Sequence, residues 1–294
     1  MNNVRTLMMK GAMLFMALGA LIGALSGPAT ARELDDIINS KEIRLGWLNY
    51  PPLMIRDPKT GALSGFYIES IEAVLAPLKI KPVWVEQTWG TFAAALQSDQ
   101  IDAFIGGSFA TPQRSLALSF TRPVAFMGSG VLVRKADAEG RFKGAKTIMD
   151  FDKDGVTIVS PLGSAGHDWL KGHFKHAKVV GVEGTNQSQG SLELLAGRAD
   201  ANYIDAFIGA GDVHAHPNEL VDMFAEDPLD VAPIAWAIKR KEPDLLVFLN
   251  TMVEYMDTAG IWLEYEGKYK DQLGGYFHLK RNYFSVAGQT QIGK

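Results

Sequence analysis

The sequence predicts an α/β fold of two lobes, each a mixed, mostly parallel sheet flanked by helices. Two observations lead to this prediction, the alternation of elements and its restart, whereas a repeated hexapeptide raises a separate question. Short apolar segments alternate with segments whose apolar residues recur at helical spacing, which is typical of parallel sheets. The alternation stops at a polar segment, 136–146, and then restarts with fewer elements. The hexapeptide IDAFIG occurs once in each half, at 101–106 and at 204–209.

The first half contains the elements of the larger predicted lobe. Turn residues such as Asn49 and Pro51, and later Gly61, separate its apolar segments. The predicted strands are 43–47, 81–87 and 101–105, and the predicted helices are 66–78 and 91–98.

The second half repeats this order before two closing helices. The predicted strands are 155–160, 177–183, 199–204 and 236–240, and the predicted helices are 163–174, 188–197, 243–260 and 261–273. The tail from Tyr283 lacks periodicity. Without the closing strand and the two closing helices, we expect the second half to form a smaller lobe.

The first 31 residues are typical of a secretory signal peptide. Arg5 and Lys10 precede an apolar run, and Ala29-Thr30-Ala31 forms a cleavage signal. The alternative is a membrane anchor, but the run is shorter than the roughly 20 residues that a span needs. We expect cleavage after Ala31 and a periplasmic location.

Composition excludes several classes of function. The 294 residues include no cysteine, so disulfides, cysteine catalysis and a lipid-anchoring cysteine are excluded. The net charge is −4, and it becomes more negative when the signal peptide takes two cations away. Nucleic acid and anionic membranes are therefore not expected partners.

The two IDAFIG copies are not equivalent when helices and strands are aligned. Asp102 then matches Asp200 at the start of a strand, whereas Asp205 matches Gly106 and Gly107 at the far end. Ligands of open α/β sheets bind beyond the carboxyl ends of strands. We therefore predict a ligand-binding role for Asp205 and a structural role for Asp102 and Asp200.

Arg114 lies at the same predicted sheet edge. Thr111 and Pro112 are good residues for the cap and first position of a helix, which places Arg114 in its first turn. Free backbone N–H groups there favour an anion, and an arginine can hold a carboxylate in a bidentate fork. The alternative is a surface arginine paired with an acidic residue.

A small-residue turn, 162–166, could bring backbone N–H groups close to the same anion. It contains Ser164 and joins a predicted strand to a helix. With Arg114 for a carboxylate and Asp205 for an ammonium group, this turn predicts a cleft that binds both ends of a zwitterion.

Several blocks resemble the periplasmic solute-binding proteins of amino-acid ABC importers, family 3. The most specific is 96–120, with its leucine, D-A, T-x-x-R and F-[ST]-x-P pattern; further blocks are TGALSGFYIESIEAV, GVTIVSPLGSAG, LAGRADANYID and IAWAIKRKEPDLLVFLNTMV. The resemblance covers essentially the whole chain after the signal peptide. It implies the type II periplasmic-binding-protein fold, with one discontinuous lobe, 32–129 with 230–294, a second lobe, 130–229, and a ligand cleft between the lobes.

The resemblance also implies roles for single residues. Arg114 matches the arginine that binds the α-carboxylate, assisted by Ser164 and Thr111. Asp205 matches the carboxylate that holds the α-amino group, and Gly107 lies where a backbone carbonyl meets that group.

Three aromatic residues belong to the same predicted pocket. Tyr50 matches an aromatic that covers the ligand, and Trp89 matches a side-chain-pocket position. Phe109 departs from the Ser or Thr of many members, which removes a polar contact. An apolar, aromatic pocket favours ligands with hydrophobic parts or modified amino acids over ordinary polar amino acids.

An enzyme on the same fold is the alternative that the sequence leaves open. His167 and Asp168 follow the anion-type turn and could act as an acid–base pair, as in dehydratases of this fold. We expect neither a cofactor nor a metal, because the other close histidines, His173 with His176 and His214 with His216, lack an evident third ligand.

The implied mechanism is capture by hinge closure. We place the hinge in two crossing segments near 128–131 and 227–231. The expected partners are a small ligand and an inner-membrane ABC permease that recognises the closed monomer.

Overall fold

A computed structural model of the protein describes residues 33–273 and 277–278. The predicted signal peptide, 1–31, and the aperiodic tail from Tyr283 lie outside the described residues. Within the described part of the chain, no helix has the length and apolar character needed to cross a membrane.

Helices and strands alternate along the chain as predicted. The helices are α1 (Leu34–Ser40), α2 (Phe66–Leu75), α3 (Phe92–Gln97), α4 (Pro112–Ser115), α5 (Lys135–Glu139), α6 (Ala165–His173), α7 (Gln189–Leu195), α8 (Ala206–Ala215), α9 (Pro243–Thr258) and α10 (Ile261–Leu273). The strands are β1 (Glu42–Trp47), β2 (Ile55–Arg56), β3 (Leu63–Ser64), β4 (Lys81–Glu86), β5 (Ala103–Phe109), β6 (Leu118–Phe120), β7 (Ala125–Arg134), β8 (Thr157–Pro161), β9 (Lys178–Val182), β10 (Ala201–Asp205), β11 (Leu220–Asp222), β12 (Leu229–Lys239) and β13 (Phe277–His278).

The main sheet has the strand order β4-β1-β5-β12-β7-β10-β8-β9. Strand β1 pairs in parallel with β4 and β5, and β8 pairs in parallel with β9 and β10. Between these two parallel groups, β12 and β7 run antiparallel to each other and to their outer neighbours. The sheet therefore has two parallel halves joined through one long antiparallel pair.

Two hydrophobic clusters form the core: a large one that extends into both halves, and a smaller one within the second half. The first contains Trp47, Phe104 and Trp236, and the second contains Phe142 and Phe151. Each of these side chains is at most 1% exposed. Because an aromatic side chain buries about 150–250 Å², these residues supply much of the apolar burial that offsets chain entropy.

Several elements differ from the prediction. The central strand β7 was not predicted, and neither were α1, α5 and the short strands β2, β3, β6, β11 and β13. Strand β5 continues beyond Ile105, because Gly107 adopts a φ of 72° that lets the chain bend and resume pairing with β12. Strand β12 begins before Trp236, at residues where Asp230 and Pro233 interrupt the apolar pattern. Helix α8 was not predicted, because its first residues repeat the letters of a strand.

The two IDAFIG copies have different structures. In the first copy, Ala103 begins β5 and the remaining residues stay in that strand. In the second copy, Asp205 ends β10 and Ala206 begins α8. The structure therefore confirms that the identical letters occupy positions shifted along the two halves.

Asp102 and Asp200 are the equivalent pair. Asp102 accepts a hydrogen bond from the backbone N–H of Arg44 at 2.7 Å and pairs with its guanidinium at 2.5 Å. Asp200 accepts from the backbone N–H of Thr157 at 2.8 Å and pairs with Arg141 at 2.5 Å. Each carboxylate joins its strand to the neighbouring parallel strand, so the structural role predicted for both is confirmed.

We expect Asp102→Ala to lower stability without changing ligand affinity. The substitution leaves the partly buried Arg44 N–H without its acceptor, and the guanidinium keeps its bond to the Asp99 carbonyl but loses its carboxylate partner. This loss costs about 1–3 kcal/mol. Thermal unfolding measures the loss, with Asp154→Ala as control because the Asp154 side chain is 92% exposed. A large fall in affinity with unchanged stability contradicts this assignment.

Candidate functional site

The candidate site is a cavity at the carboxyl ends of the central strands. About 410 Å³ of space between atoms lies in it, including space that is open to solvent. Of the described residues that line it, only Arg114 and Asp205 carry a charge. The lining residues are Trp89, Gly107, Phe109, Arg114, Met127, Ser129, Pro161, Ser164, Ala165, Gly166, Tyr203, Ile204 and Asp205. We call this space the inner chamber.

Arg114 is held in place by its own short helix. Thr111 caps that helix, and its hydroxyl accepts a hydrogen bond from the Arg114 backbone N–H at 3.2 Å. The guanidinium donates to the Ser108 hydroxyl at 2.7 Å and to the Gly163 carbonyl at 2.8 Å. Burial lowers the pKa of this guanidinium from its usual range, yet arginine keeps its charge in proteins. A fixed cation therefore faces the chamber.

Asp205 supplies the opposite charge. It is half-buried at the end of β10, and its carboxylate accepts a hydrogen bond from the Tyr50 hydroxyl. Burial raises the pKa of the Asp205 carboxyl to about 6, although the Tyr50 hydrogen bond and the charge of Arg114 both act to lower it. At neutral pH the carboxylate is ionised and lacks the full solvation of water, so a bound ammonium group would stabilise it.

Ser164 lies at the start of helix α6. It caps the helix, and its hydroxyl accepts from the backbone N–H of His167 at 3.1 Å. Ala165 and Gly166, in the first turn, also line the chamber. Because the first N–H groups of a helix lack intrahelical partners, this turn favours an anionic group beside Arg114, as the sequence predicted.

The aromatic residues have separate places. Trp89 and Phe109 line the chamber, and the Trp89 indole donates to Gln187 at 3.1 Å. Tyr50 is fully buried behind this wall, with its ring edge-on to Trp89 at 5.7 Å and to Phe207 at 5.0 Å. Tyr50 reaches the chamber through its hydrogen bond to Asp205.

Gly107 and Thr111 also divide between two spaces. Gly107 lines the inner chamber. Thr111 lines a neighbouring cavity of about 680 Å³, which we call the outer chamber. The two chambers share the lining residues Phe109, Ser129, Ala165, Gly166 and Tyr203.

Sequence reasoning missed Ser129, Met127, Tyr203 and Ile204. Ser129 lies opposite Asp205 in the antiparallel pairing of β7 with β10, and Tyr203 and Ile204 precede Asp205 on that strand. Their positions depend on which strands pair across the junction. Closeness to Asp205 in the sequence was a local signal for Tyr203 and Ile204, whereas Ser129 reaches Asp205 only through the pairing of β7 with β10.

His167 points into the second half of the sheet. Its side chain is 4% exposed, its Nδ1 lies 3.1 Å from the Ser160 hydroxyl, and burial lowers its pKa. It is not among the described residues that line either chamber. Asp168 is exposed at the surface. The structure therefore does not place the proposed acid–base pair together in the inner chamber.

Binding of a ligand with an ammonium group is expected to weaken below about pH 6. In the free protein the Asp205 carboxyl has a pKa of about 6, and only its ionised form attracts the ammonium group. Affinity should therefore fall by up to about tenfold per pH unit as acid protonates it. Titration calorimetry between pH 8 and pH 5 measures the slope, and an affinity independent of pH contradicts it.

A family model for the bacterial extracellular solute-binding proteins, family 3, matches residues 43–272 of this chain. A probable amino-acid ABC transporter-binding protein of Haemophilus influenzae is 28% identical over 213 residues, which cover 72% of this chain and 77% of that protein. The L-arginine-binding protein of Pseudomonas aeruginosa is 25% identical over 271 residues, covering 85% and 95% respectively.

A similar solved structure belongs to an ancestral amino-acid-binding protein, AncCDT-1, described as a precursor of cyclohexadienyl dehydratase. It superposes with a TM-score of 0.69 at 27% identity and covers 82% of this chain and 99% of its own. The match extends over both parallel halves of the sheet and confirms the two-lobe, type II periplasmic-binding fold.

Proposed function

Since this chain belongs to family 3 of the bacterial extracellular solute-binding proteins, we propose that it captures an amino acid or a related small zwitterion for an ABC importer. The observation that carries the proposal is the pair of opposite charges, Arg114 and Asp205, facing one small chamber. Relatives named as amino-acid and L-arginine binders support the same ligand class.

The ligand-binding roles proposed for single residues follow from this geometry. Arg114 binds the α-carboxylate with help from the turn at Ser164. Asp205 binds the α-amino group, together with the backbone at Gly107. The remaining proposed contacts form the apolar wall and its supports: Tyr50, Trp89, Phe109 and Thr111.

The proposed lobes are 32–129 with 230–294, and 130–229. Support comes from strands β7 and β12, which pass between the two parallel halves and pair at Leu229 with Ser129 and at Ala232 with Met127. A register shift between Leu229 and Ala232 interrupts the ladder at the proposed hinge. A ligand that contacts both lobes would favour the closed state through contacts that the open state lacks.

Gly163→Ala should prevent full closure and weaken binding. Gly163 has a φ of 77°, and an added Cβ would lie 2.7 Å from the Gly90 backbone across the cleft. Small-angle scattering with saturating ligand should show a larger radius of gyration than for wild type, while thermal unfolding reports any local strain. Gly172→Ala is the control, since an added Cβ there meets nothing within 4 Å. Wild-type compaction in Gly163→Ala would argue against closure at this contact.

The proposed setting is the periplasm, where a monomer cleaved after Ala31 delivers its ligand to an inner-membrane permease. The N-terminal sequence pattern supports the cleavage site, and family membership supports the permease as partner. N-terminal sequencing of the exported protein and its mass in solution test both.

We propose that the chain is a binder and not an enzyme. The position of His167 against Ser160, inside the second half, supports this choice over a dehydratase. Mass spectrometry of the ligand before and after long incubation with the protein tests it, because a binder returns the ligand unchanged.

Calorimetry on protein freed of co-purified ligand by unfolding and refolding tests the main proposal. We expect saturable, one-site binding of at least one α-amino acid. Refolded protein that binds no amino acid and no related carboxylate contradicts the proposal.

A further inference from the structure

The two chambers adjoin each other, and both include space that is open to solvent. They share five lining residues, including Phe109, Ser129 and Tyr203, and together extend from Asp205 to Asp230. The outer chamber, of about 680 Å³, exceeds the inner one, of about 410 Å³. Head-group binding between Arg114 and Asp205 would leave the outer chamber for another part of the ligand.

The outer chamber has an apolar wall that suits an extended chain. Phe109, Trp169 and Pro233 line it. Trp169 is 36% exposed, and its ring stacks on His173 with the centroids 4.2 Å apart. The stacked Trp169 indole can contact methylene groups of a ligand, and its aromatic face can attract a cation.

Asp230 gives the outer chamber its charge. Among the described residues that line this chamber, it alone is charged. Its carboxylate accepts a hydrogen bond from the Tyr203 hydroxyl at 2.8 Å, and burial together with the charge of Asp230 raises the pKa of Tyr203. Because a carboxylate can accept about four hydrogen bonds, this bond orients Asp230 and leaves acceptor capacity for a cation.

A positively charged group at the far end of a ligand would need a carboxylate partner. Among the described residues that line the inner chamber, Asp205 is the only acidic residue. Its carboxylate is assigned to the α-amino group, and the other walls include the apolar side chains of Trp89, Met127 and Ile204. A ligand with a distal positive charge would therefore find its partner in the outer chamber.

We infer that the ligand is an amino-acid derivative with an extension that passes Phe109 and Trp169 and ends in an ammonium or guanidinium group at Asp230. This inference rests on the proposed amino-acid head group and adds a second binding subsite to it. Asp230 is exposed, so its contribution is screened by water and salt, and we expect about a twofold to fivefold effect on affinity.

Matched lysine derivatives test the subsite. Nε-(β-alanyl)-L-lysine and Nε-butyryl-L-lysine differ only in a terminal amine or methyl, and a second pair is longer by two methylenes. Calorimetry should show that the amine binds more tightly than the methyl compound in at least one pair. Asp230→Asn should remove this preference, and Asn also tolerates the φ of 52° at this position. Asp227→Asn, an exposed aspartate outside the described linings, should keep it.

The outcomes separate the subsite from the head-group site. Equal binding within both pairs, or a preference that persists in Asp230→Asn, overturns the subsite while the head-group assignment stands. The subsite is likewise overturned if L-lysine binds and none of the derivatives does. If neither L-lysine nor L-arginine nor any derivative binds, the subsite is overturned, and calorimetry with the other α-amino acids decides the head-group assignment separately.

Discussion

Arg114→Ala is expected to cause the largest loss of ligand affinity of any single substitution in this chain. The guanidinium faces the inner chamber and is oriented by Ser108 and the Gly163 carbonyl. Removing one partner of a buried, hydrogen-bonded charge pair costs about 2–5 kcal/mol. The dissociation constant should therefore rise by roughly 30-fold to several thousand-fold, which calorimetry measures directly.

Two further variants make this result specific. Arg114→Lys keeps the charge but loses the planar fork, so we expect an intermediate loss. Arg122→Ala removes a nearby arginine that is 46% exposed and pairs with Glu254, and should leave affinity unchanged. Near-native affinity in Arg114→Ala would show that the carboxylate is bound elsewhere.

Asp205→Asn is expected to have two opposite effects. Binding of α-amino ligands should fall by at least about tenfold, because the amide carries no charge to hold the ammonium group. Ligands that lack the amino group should lose little affinity. The ratio of these two losses, measured by calorimetry, reports the ammonium contact separately from the rest of the site.

The second effect is higher thermal stability of the ligand-free protein. The pKa of Asp205 is raised to about 6 in the folded state, above the value of about 3.9 in an unfolded chain. The contribution of the protonated Asp205 carboxyl to the free energy of unfolding is therefore complete below the unfolded-state pKa. This contribution is lost as the pH rises through about 6. Asp205→Asn should raise the melting temperature at pH 7.5 and raise it less at pH 5. A lower melting temperature at both pH values would mean that the carboxylate stabilises the empty protein.

Much of this fold could be predicted because its signals are local. The cap formed by Thr111 and Pro112 identified the helix that carries Arg114. Aligning the helix–strand units separated Asp205 from Asp102, although both lie within identical hexapeptides. These inferences need only spacing and capping chemistry, which a single sequence contains.

Other features depend on contacts between distant residues. The Tyr50 hydroxyl meets Asp205 across 155 positions of sequence. Ser129 joins the site only because β7 pairs with β10. The side chain of His167, on helix α6, contacts the Ser160 hydroxyl. Its position in the sequence next to the turn did not predict this contact.

A thermal-shift panel on the chain from Arg32 tests the central claim most directly. The panel compares α-amino acids with their des-amino acids and their amides, so that each end of the head group is removed in turn. A ligand at about 100 times its Kd adds about 2.7 kcal/mol, which is roughly 5–10 °C for a protein of this size. We predict a shift only with compounds that carry both the ammonium and the carboxylate group. An equal shift with a des-amino acid would contradict the role of Asp205, and an equal shift with an amide would contradict the role of Arg114.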